Sequence, residues 1–213
     1  MNILILGADS AIARLVEQQI LNDKAFADVK LTMFTHDKSQ IDDLLSLQST
    51  SIEGDLNDIK ALNDAVEDQD IVFDTTGVTD DTTPTQNIIK AMQDNGVLRV
   101  VSLNDLGIYN EVPGKFGNWN RTMVGENLVV GQKLATLYEN SGLDFTILRL
   151  AWLNNEETIS YELTPKGELF KGTTVSRQSV ANIMLKIIDD PAYLSQANVG
   201  VDKPGTDGDT PTY

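Results

Sequence analysis

The first eighteen residues most constrain what this chain can fold into. Residues 2–6 form an apolar run short enough for a buried strand, and residues 11–21 have the apolar spacing of a helix. Between them, residues 7–10 (Gly-Ala-Asp-Ser) form a turn of small residues. This order is typical of folds that bind dinucleotides, because the helix N-terminus offers unpaired N–H groups and a positive dipole end to a phosphate.

The glycine pattern of this turn is incomplete. Gly7 is present, whereas Ser10 and Ala13 stand where the usual pattern has its later two glycines. The turn therefore also fits an ordinary strand-to-helix connection, and both interpretations stay open. If a cofactor binds here, the residues expected to contact it are Gly7, Asp9, Ser10, Ala11 and Ile12.

The composition is that of a globular chain with a strongly negative charge. Its 213 residues, 41% hydrophobic and 23% charged, suit one α/β domain. Acidic residues number 32 against 16 basic ones, which gives a net charge of −16. Such a surface repels phosphates at long range, so we expect neither nucleic acid nor a membrane as partner. A local patch that binds one nucleotide remains compatible with this charge.

Residue usage excludes several kinds of site. The chain has no cysteine and a single histidine, His36, so disulfides, thiolate sites and histidine metal clusters are not expected, and no metal site is predicted. No apolar run approaches the roughly 20 residues of a membrane span. The first apolar run lacks a preceding basic region, which favours a strand over a signal peptide. We therefore expect a cytoplasmic protein.

Apolar runs and helical patterns alternate along the chain, which predicts parallel strands joined by right-handed crossovers. The expected fold is α/β, a doubly wound parallel sheet (Rossmann fold), with ligands at the carboxyl ends of the strands. The predicted strands are residues 2–6, 29–35, 51–53, 70–75, 97–103 and 143–149. The predicted helices are residues 11–21, 37–47, 56–66, 82–95, 119 or 120 to 140, and 176–189.

The domain is predicted to span residues 1–201, with residues 151–201 lining the substrate side. Residues 197–201 are expected to form an edge strand. The Gly-, Pro- and Asp-rich residues 202–213 are expected to be a loose tail.

Two turns after predicted strands suit a nucleotide. The carboxylate of Asp55, between Gly54 and Leu56, is placed to accept a hydrogen bond from the adenine amine, although it also fits a helix N-cap. The second turn offers small residues that leave space for a ribose or diphosphate, namely Thr75, Thr76, Gly77 and Val78.

The end of the second strand bears on the choice between NAD and NADP. NAD-preferring sites place an acidic residue there for the ribose hydroxyls. This chain has Thr35, followed by His36 and Lys38, which suit a 2′-phosphate, whereas Asp37 argues against one. NADP is therefore expected, with NAD as the alternative.

Six motifs in register resemble a known family. They read ILGADSAIARLV, EGDLND, DIVFDTTGV, RVVSLNDLGIYNEVPGKFGNWN, SGLDFTILRLAWL and VSRQSVANIMLKII, and they cover most of residues 1–190. The chain resembles an atypical member of the short-chain dehydrogenase/reductase superfamily, in the NAD(P)H-binding group that includes flavin and biliverdin reductases and nitrogen-regulator-like proteins. The resemblance implies a nicotinamide over Gly77 and Val78, the end of the fifth strand (Leu103, Asn104) and the turn formed by Leu150, Ala151, Trp152 and Leu153.

The proton-transfer residues of that superfamily are not matched. It has Ser or Thr after the fifth strand, where this chain reads Asn104-Asp105, and Tyr-x-x-x-Lys on the next helix. The resemblance places Lys133 at about the lysine position, beside the nicotinamide ribose, but Val129 stands where the tyrosine belongs. Tyr109 is the alternative proton donor, although an aromatic residue in such a loop also fits simple packing.

These observations predict an NAD(P)H-dependent oxidoreductase that transfers hydride to a small conjugated or carbonyl acceptor such as a flavin or quinone. Catalytic roles are expected for Lys133 and Tyr109. The alternative is a non-catalytic NAD(P)-binding sensor, and a further one is a shell that binds no dinucleotide. Arg177, after a predicted helix cap at Ser176, is expected to face either a carboxylate or an acidic substrate. The expected partner is a small-molecule substrate, and the chain is expected to be a monomer or homodimer.

Overall fold

A computed structural model describes residues 1–211, which form ten strands and six α-helices. The strands are Asn2–Leu6 (β1), Lys30–Thr35 (β2), Ser49–Glu53 (β3), Ile71–Asp74 (β4), Arg99–Asp105 (β5), Asp144–Leu150 (β6), Trp152–Asn154 (β7), Glu162–Pro165 (β8), Thr174–Ser176 (β9) and Ala197–Asp202 (β10). The helices are Ala11–Asn22 (α1), Ile59–Val66 (α2), Thr83–Asn95 (α3), Gly114–Val124 (α4), Asn127–Glu139 (α5) and Arg177–Asp189 (α6). Within residues 1–211, none of these helices is both long and apolar enough to cross a membrane.

Eight strands form one sheet in the order β3-β2-β1-β4-β5-β6-β10-β8. The pairs from β3 to β10 are parallel, and β8 alone pairs antiparallel. The chain starts at β1 in the middle, moves outward to β3 and then returns to β4, so the topology reverses beside β1. This arrangement confirms the predicted doubly wound Rossmann fold.

The apolar core lies on both faces of the sheet, which explains the continuous apolar run of β1. Ile3 and Ile5 belong to a cluster with the buried faces of α1 and α6. Leu4 and Leu6 belong to a second cluster, with α2, α3 and α5. Successive side chains of a strand point to opposite faces, so one strand supplies both clusters.

The predicted helix over residues 37–47 is wrong. The segment forms two short 3₁₀ turns, Lys38–Gln40 and Asp42–Leu44. The Asp37 carboxylate accepts hydrogen bonds from the backbone N–H and the hydroxyl of Ser39, at 3.0 and 2.7 Å. Side-chain bonds of this kind favour a turn over an α-helix, although Ile41 and Leu44 still reach the core.

The prediction of a single helix from residue 119 or 120 to residue 140 is also wrong. Two helices, α4 and α5, occupy this part of the chain and are separated at Gly125. Gly125 has φ +62°, a left-handed value that favours glycine. Its N–H donates to the carbonyl of Arg121 and closes α4, and α5 begins two residues later. The break places the end of α4 and the start of α5 above the carboxyl ends of the strands.

The C-terminal region is more ordered than predicted. Residues 197–202 form β10 inside the sheet and not at its edge, because the short strand β8 covers them. The predicted loose tail begins with Asp202, which is fully buried, and Thr206 is held by two hydrogen bonds with Thr173. The sequence pattern did not reveal β7, β8 and β9, which have only three or four residues each. Residues 212–213 of the predicted tail lie outside the described residues.

Helix α1 carries a carboxyl group into the core. Glu17 is fully buried, and within residues 1–211 neither of its carboxyl oxygens has a hydrogen-bond partner. Burial raises the pKa of Glu17 to about 8, against the smaller opposing effect of Arg14. The folded protein therefore holds this carboxyl group largely protonated at neutral pH.

This carboxyl group makes stability depend on pH. Between the unfolded pKa of 4.5 and the folded pKa of about 8, the unfolded chain binds fewer protons than the native protein, so the free energy of unfolding falls as pH rises. The Glu17 contribution amounts to ~1.4 kcal/mol per pH unit, or roughly 3 kcal/mol between pH 5 and pH 7. Glu17→Gln should flatten this slope, as measured by urea unfolding at several pH values. Glu126→Gln, at an exposed position, is the control, and an unchanged slope in Glu17→Gln would contradict the prediction.

Candidate functional site

The loop between β1 and α1 is fixed by main-chain hydrogen bonds. The N–H groups of Gly7 and Ala8 both donate to the carbonyl of Phe34 on β2, at 3.0 and 3.1 Å. Gly7 has φ +74°, and a Cβ there would lie 3.1 Å from the Thr76 methyl group. Glycine therefore allows the loop to turn tightly against the end of β4.

Helix α1 presents its N-terminus to a cleft. Ser10 is the N-cap, and its hydroxyl accepts a hydrogen bond from the N–H of Ala13 at 3.2 Å. Ala11 and Ile12, the first two residues of the helix, line the cleft. Because first-turn N–H groups have no intrahelical partner, this end of the helix is suited to an anion.

Thr75, directly after β4, joins this loop to the neighbouring strand. Its hydroxyl donates to the carbonyls of Leu6 and Gly7, at 2.8 and 3.0 Å, and accepts from the Ser10 hydroxyl at 3.0 Å. The Thr75 N–H also donates to the Leu6 carbonyl. One side chain thus fixes the end of β1, the turn and the helix cap relative to β4.

The buried carboxylate of Asp74 supports the adjacent turn. It accepts hydrogen bonds from the Thr76 hydroxyl at 2.5 Å and from the Tyr138 hydroxyl at 2.8 Å. Burial raises the pKa of Asp74, while the hydrogen bonds from Thr76 and Tyr138 act in the opposite direction. Beyond this turn, Gly77 has φ +71°, and a Cβ there would meet no atom within 4 Å because Gly77 faces open space.

Two cavities lie on either side of this loop, at the carboxyl ends of the strands. The smaller has a volume of about 290 Å³ and is lined by Gly7, Asp9, Phe34, Thr35, His36, Gly54, Asp55, Leu56, Asn57, Thr76 and Pro84. The larger has a volume of about 720 Å³ and is lined by Ser10, Ala11, Ile12, Thr75, Gly77, Leu103, Asn104, Asp105, Leu106, Met123, Val124, Asn127, Leu150, Ala151, Trp152, Leu153 and Arg177. The structure thus brings together most of the residues predicted to bind a cofactor, since all of them except Lys38, Val78 and Lys133 line one of these cavities.

The carboxylate of Asp9 lies beside Thr35 and His36 at the end of β2, where a 2′-phosphate was predicted to bind. The Thr35 hydroxyl donates to the Asp9 carboxylate at 3.0 Å, and His36 Nδ1 lies 3.9 Å from the other Asp9 oxygen. The His36 side chain is 73% exposed. Lys38 is half-buried nearby, where its backbone N–H lies 3.5 Å from a Glu53 oxygen.

The turn after β3 differs from the helix cap considered for Asp55. Asp55 accepts hydrogen bonds from the N–H and the side-chain amide of Asn57, at 2.8 and 3.0 Å, and Asp58 caps α2 instead. Gly54 is required here because a Cβ would lie 2.6 Å from the Phe34 ring. The turn therefore packs closely on the floor of the smaller cavity.

Tyr109 is not brought to the cleft. Its hydroxyl accepts a hydrogen bond from the Asn198 amide at 2.9 Å and donates to Glu139 at 3.3 Å. The Lys166 ammonium lies 4.3 Å from the centre of its ring. Burial and the Glu139 carboxylate raise the pKa of Tyr109. These contacts fit the packing interpretation of Tyr109 and separate it from the residues that line the cavities.

Lys133 also lies apart from the cleft, on the exposed side of α5. The side of α5 that faces β5 carries Asn127, which lines the larger cavity, and Gly131 four residues later. The Asn104 amide donates to the Gly131 carbonyl at 2.9 Å, and a Cβ at Gly131 would lie 2.6 Å from the Asn104 side chain. Val78 packs at the same contact. Because Asn127 and Gly131 occupy the side of α5 that faces β5, Lys133 lies on another side of the helix and not beside the cleft, where it was expected.

Several cleft residues were not among those predicted. The break at Gly125 brings Met123, Val124 and Asn127 to the larger cavity. These residues were not identified because the end of α4 at Val124 was not predicted. Asp105 was recognised only as part of the unmatched serine position, although it ends a strand at the binding edge. Arg177, by contrast, was expected to face a carboxylate or an acidic substrate. It lines the larger cavity after the predicted cap Ser176, whose hydroxyl accepts from the Ser179 N–H. The Arg177 guanidinium donates to the Asn155 side-chain oxygen at 2.9 Å and not to a carboxylate.

Comparison with known proteins shows the family to which this chain belongs. A model of an NAD(P)H-binding family matches residues 7–191. A Rossmann-fold NAD(P)-binding family protein from Shigella flexneri is 37% identical, with coverage of 100% of this chain and 98% of that chain and a TM-score of 0.85. A short-chain dehydrogenase/reductase from Veillonella parvula, solved in complex with NADP, is 27% identical, with 100% and 99% coverage and a TM-score of 0.89.

More distant structures share the fold alone. ChuY, an anaerobillin reductase from Escherichia coli, is 17% identical, with 98% and 100% coverage and a TM-score of 0.80. No curated protein sequence matches this chain. The family match covers the loop after β1, both cavities and α6, and it agrees with the resemblance to atypical short-chain dehydrogenases/reductases. The chain belongs to the NAD(P)H-binding family of Rossmann-fold proteins.

Proposed function

We propose that the protein is an NAD(P)H-dependent oxidoreductase that transfers hydride to a small conjugated or carbonyl acceptor. The observation that carries this proposal is the pair of cavities on the two sides of the α1 N-terminus, of about 290 and 720 Å³. The smaller suits a nucleoside, and the larger is wide enough for a nicotinamide together with a second flat molecule. When bound, the reduced dinucleotide supplies the hydride.

The residues present fit such a cofactor. The N–H groups of Ala11 and Ile12 would hold the diphosphate, and the open space at Gly77 leaves room for it. Thr35, Asp55 and Leu56 would contact the adenosine in the smaller cavity. Asn104 and the turn from Ala151 to Leu153 would contact the nicotinamide, and Asn127 at the start of α5 would lie beside them in the larger cavity.

The walls of the larger cavity suit a flat acceptor. Trp152, Leu106, Leu150 and Met123 line it. The Trp152 ring lies 4.7 Å from the Trp119 ring, and its indole N–H donates to Asn120 at 2.9 Å, so its plane is held in place. A fixed aromatic wall favours stacking of a conjugated ring system such as a flavin or quinone.

We further propose that NADP(H) is preferred over NAD(H). His36 and Lys38 stand at the end of β2, where a 2′-phosphate would lie, and the relative from Veillonella parvula was solved with NADP. Asp9 opposes this preference because its carboxylate lies within 3.9 Å of His36. The preference is therefore expected to be moderate and to depend on Asp9.

A non-catalytic NAD(P)-binding sensor is the second candidate. It is favoured by the engagement of Tyr109 outside the cleft and by the glycine at position 131, where α5 approaches Asn104. Such a protein would bind the dinucleotide as tightly as an enzyme but would not oxidise NADPH with a quinone or a flavin. Turnover of these acceptors separates the two candidates.

Binding is tested by thermal unfolding with NADPH or NADH at about 1 mM. A ligand with a Kd of about 1 μM stabilises the native state by ~4 kcal/mol, which raises the Tm by roughly 10 °C in a chain of this size. Gly77→Leu should lose this shift because its side chain enters the cleft. Gly96→Leu is the matched control, since Gly96 has a similar φ of +68° and equally open space at the far end of the sheet. Absence of a shift with both nucleotides in the unmodified protein would refute both candidates.

Cofactor preference is tested at the end of β2. Asp9→Asn removes a carboxylate near the expected 2′-phosphate and should increase the ratio of NADPH to NADH affinity about three- to tenfold, or ~0.7–1.4 kcal/mol. The double change His36→Ala and Lys38→Ala should lower this ratio by a similar factor. Titration calorimetry with both nucleotides measures the effect, and Asp28→Asn on an exposed turn is the control. Equal changes for NADPH and NADH would contradict the assignment.

A further inference from the structure

The larger cavity contains a carboxyl group for which the sequence resemblance supplies no role. Asp105 is the last residue of β5, and its side chain is half-buried. Within residues 1–211, no hydrogen bond or ion pair reaches its carboxyl oxygens. Its backbone N–H donates to the Asn104 side chain at 2.8 Å, which fixes the main chain at this point. The side chain is therefore held at the cleft and left without a partner.

The surroundings favour the protonated form of this group. Leu106, Leu150 and Trp152 line the same cavity, and burial raises the pKa of Asp105. The other charged residue among those that line this cavity is Arg177, whose guanidinium donates to Asn155. A carboxyl group in such a place is able to donate a proton at higher pH than an ordinary aspartate.

We propose that Asp105 is the catalytic proton donor for reduction of the acceptor in this cleft, a role that rests on the oxidoreductase function proposed above. The substrate class it implies is a conjugated acceptor with a carbonyl oxygen or imine-type nitrogen directed toward β5. Asp105 would thus take the role considered above for Tyr109, whose hydroxyl is held by Asn198 and Glu139.

The step balances with groups already named. The acceptor gains the hydride at one end of its conjugated system, and the electron pair of the π bond moves to the oxygen or nitrogen at the other end. The O–H bond of Asp105 breaks, and a new bond forms between this proton and that heteroatom. Asp105 is left as a carboxylate and regains a proton from water through the open cleft. The acceptor would be reduced by two electrons, which NAD(P)H would supply as the hydride when bound.

The test compares Asp105→Asn, Asp105→Glu and the unmodified protein in NADPH oxidation with menadione and with FMN. Asp105→Asn should lower kcat about 100-fold, the usual range for loss of a general acid, while the Kd for NADPH stays within about twofold because Asp105 is assigned to the acceptor. In the unmodified protein kcat should fall as pH rises above the pKa of Asp105. Asp105→Glu should keep this alkaline decrease, and Asp105→Asn should lose it. Asp64→Asn, an exposed acid on α2, is the matched control.

A second measurement reports the protonation of Asp105 without turnover. Trp152 lines the same cavity, and Trp119 beside it is the other tryptophan of the chain, so intrinsic fluorescence senses this region. The unmodified protein should show a pH transition above the ordinary range of an aspartate. Asp105→Asn should lack that transition, and Asp64→Asn should keep it.

The outcomes separate this inference from the function on which it rests. Normal kcat and an unchanged pH profile in Asp105→Asn, in a protein that oxidises NADPH, would overturn the proton-donor role alone. A fluorescence transition that persists in Asp105→Asn would also count against it. NADPH binding without oxidation by either acceptor would overturn the oxidoreductase function and the proton-donor role together, and would leave the sensor.

Discussion

The candidate site depends on the hydroxyl group of Thr75. This group donates to the carbonyls of Leu6 and Gly7 and accepts from the Ser10 hydroxyl. It therefore joins the ends of the adjacent parallel strands β1 and β4 to the N-cap of α1. Parallel strands have no short turn between them that would hold their carboxyl ends in register. The Thr75 contacts supply that constraint where the topology reverses. The two cavities lie on opposite sides of the loop that these contacts hold.

Much of the fold could be predicted because it depends on local patterns. The apolar run of β1 divides between two core clusters, as a strand covered by helices on both faces requires. Prediction failed where side chains compete with the backbone or where an element is very short. Asp37 forms a turn in a segment with helical apolar spacing, Gly125 interrupts a continuous helical pattern, and β8 has four residues. None of these features changes the hydrophobic periodicity on which the predictions relied.

The site was predictable at the strand ends and unpredictable on the helices. Strand ends can be read from the sequence, and four residues at or just after them line a cavity, namely Gly7, Thr35, Asp55 and Gly77. Which residues of a helix face the cleft depends on how the helix is rotated about its axis. The sequence does not give this rotation, and the break at Gly125 changes it. For this reason the resemblance directed attention to Lys133, which is exposed, while Asn127 went unnoticed.

The close contact between α5 and β5 restricts how this chain can change during evolution. A side chain at position 131 would place its Cβ 2.6 Å from the Asn104 oxygen, and the Asn104 amide is itself bonded to the Gly131 carbonyl. A lysine at position 131 would therefore first require a smaller residue at position 104, and that replacement would remove the hydrogen bond between strand and helix. Either substitution alone would therefore cost stability, and positions 104 and 131 are expected to change together.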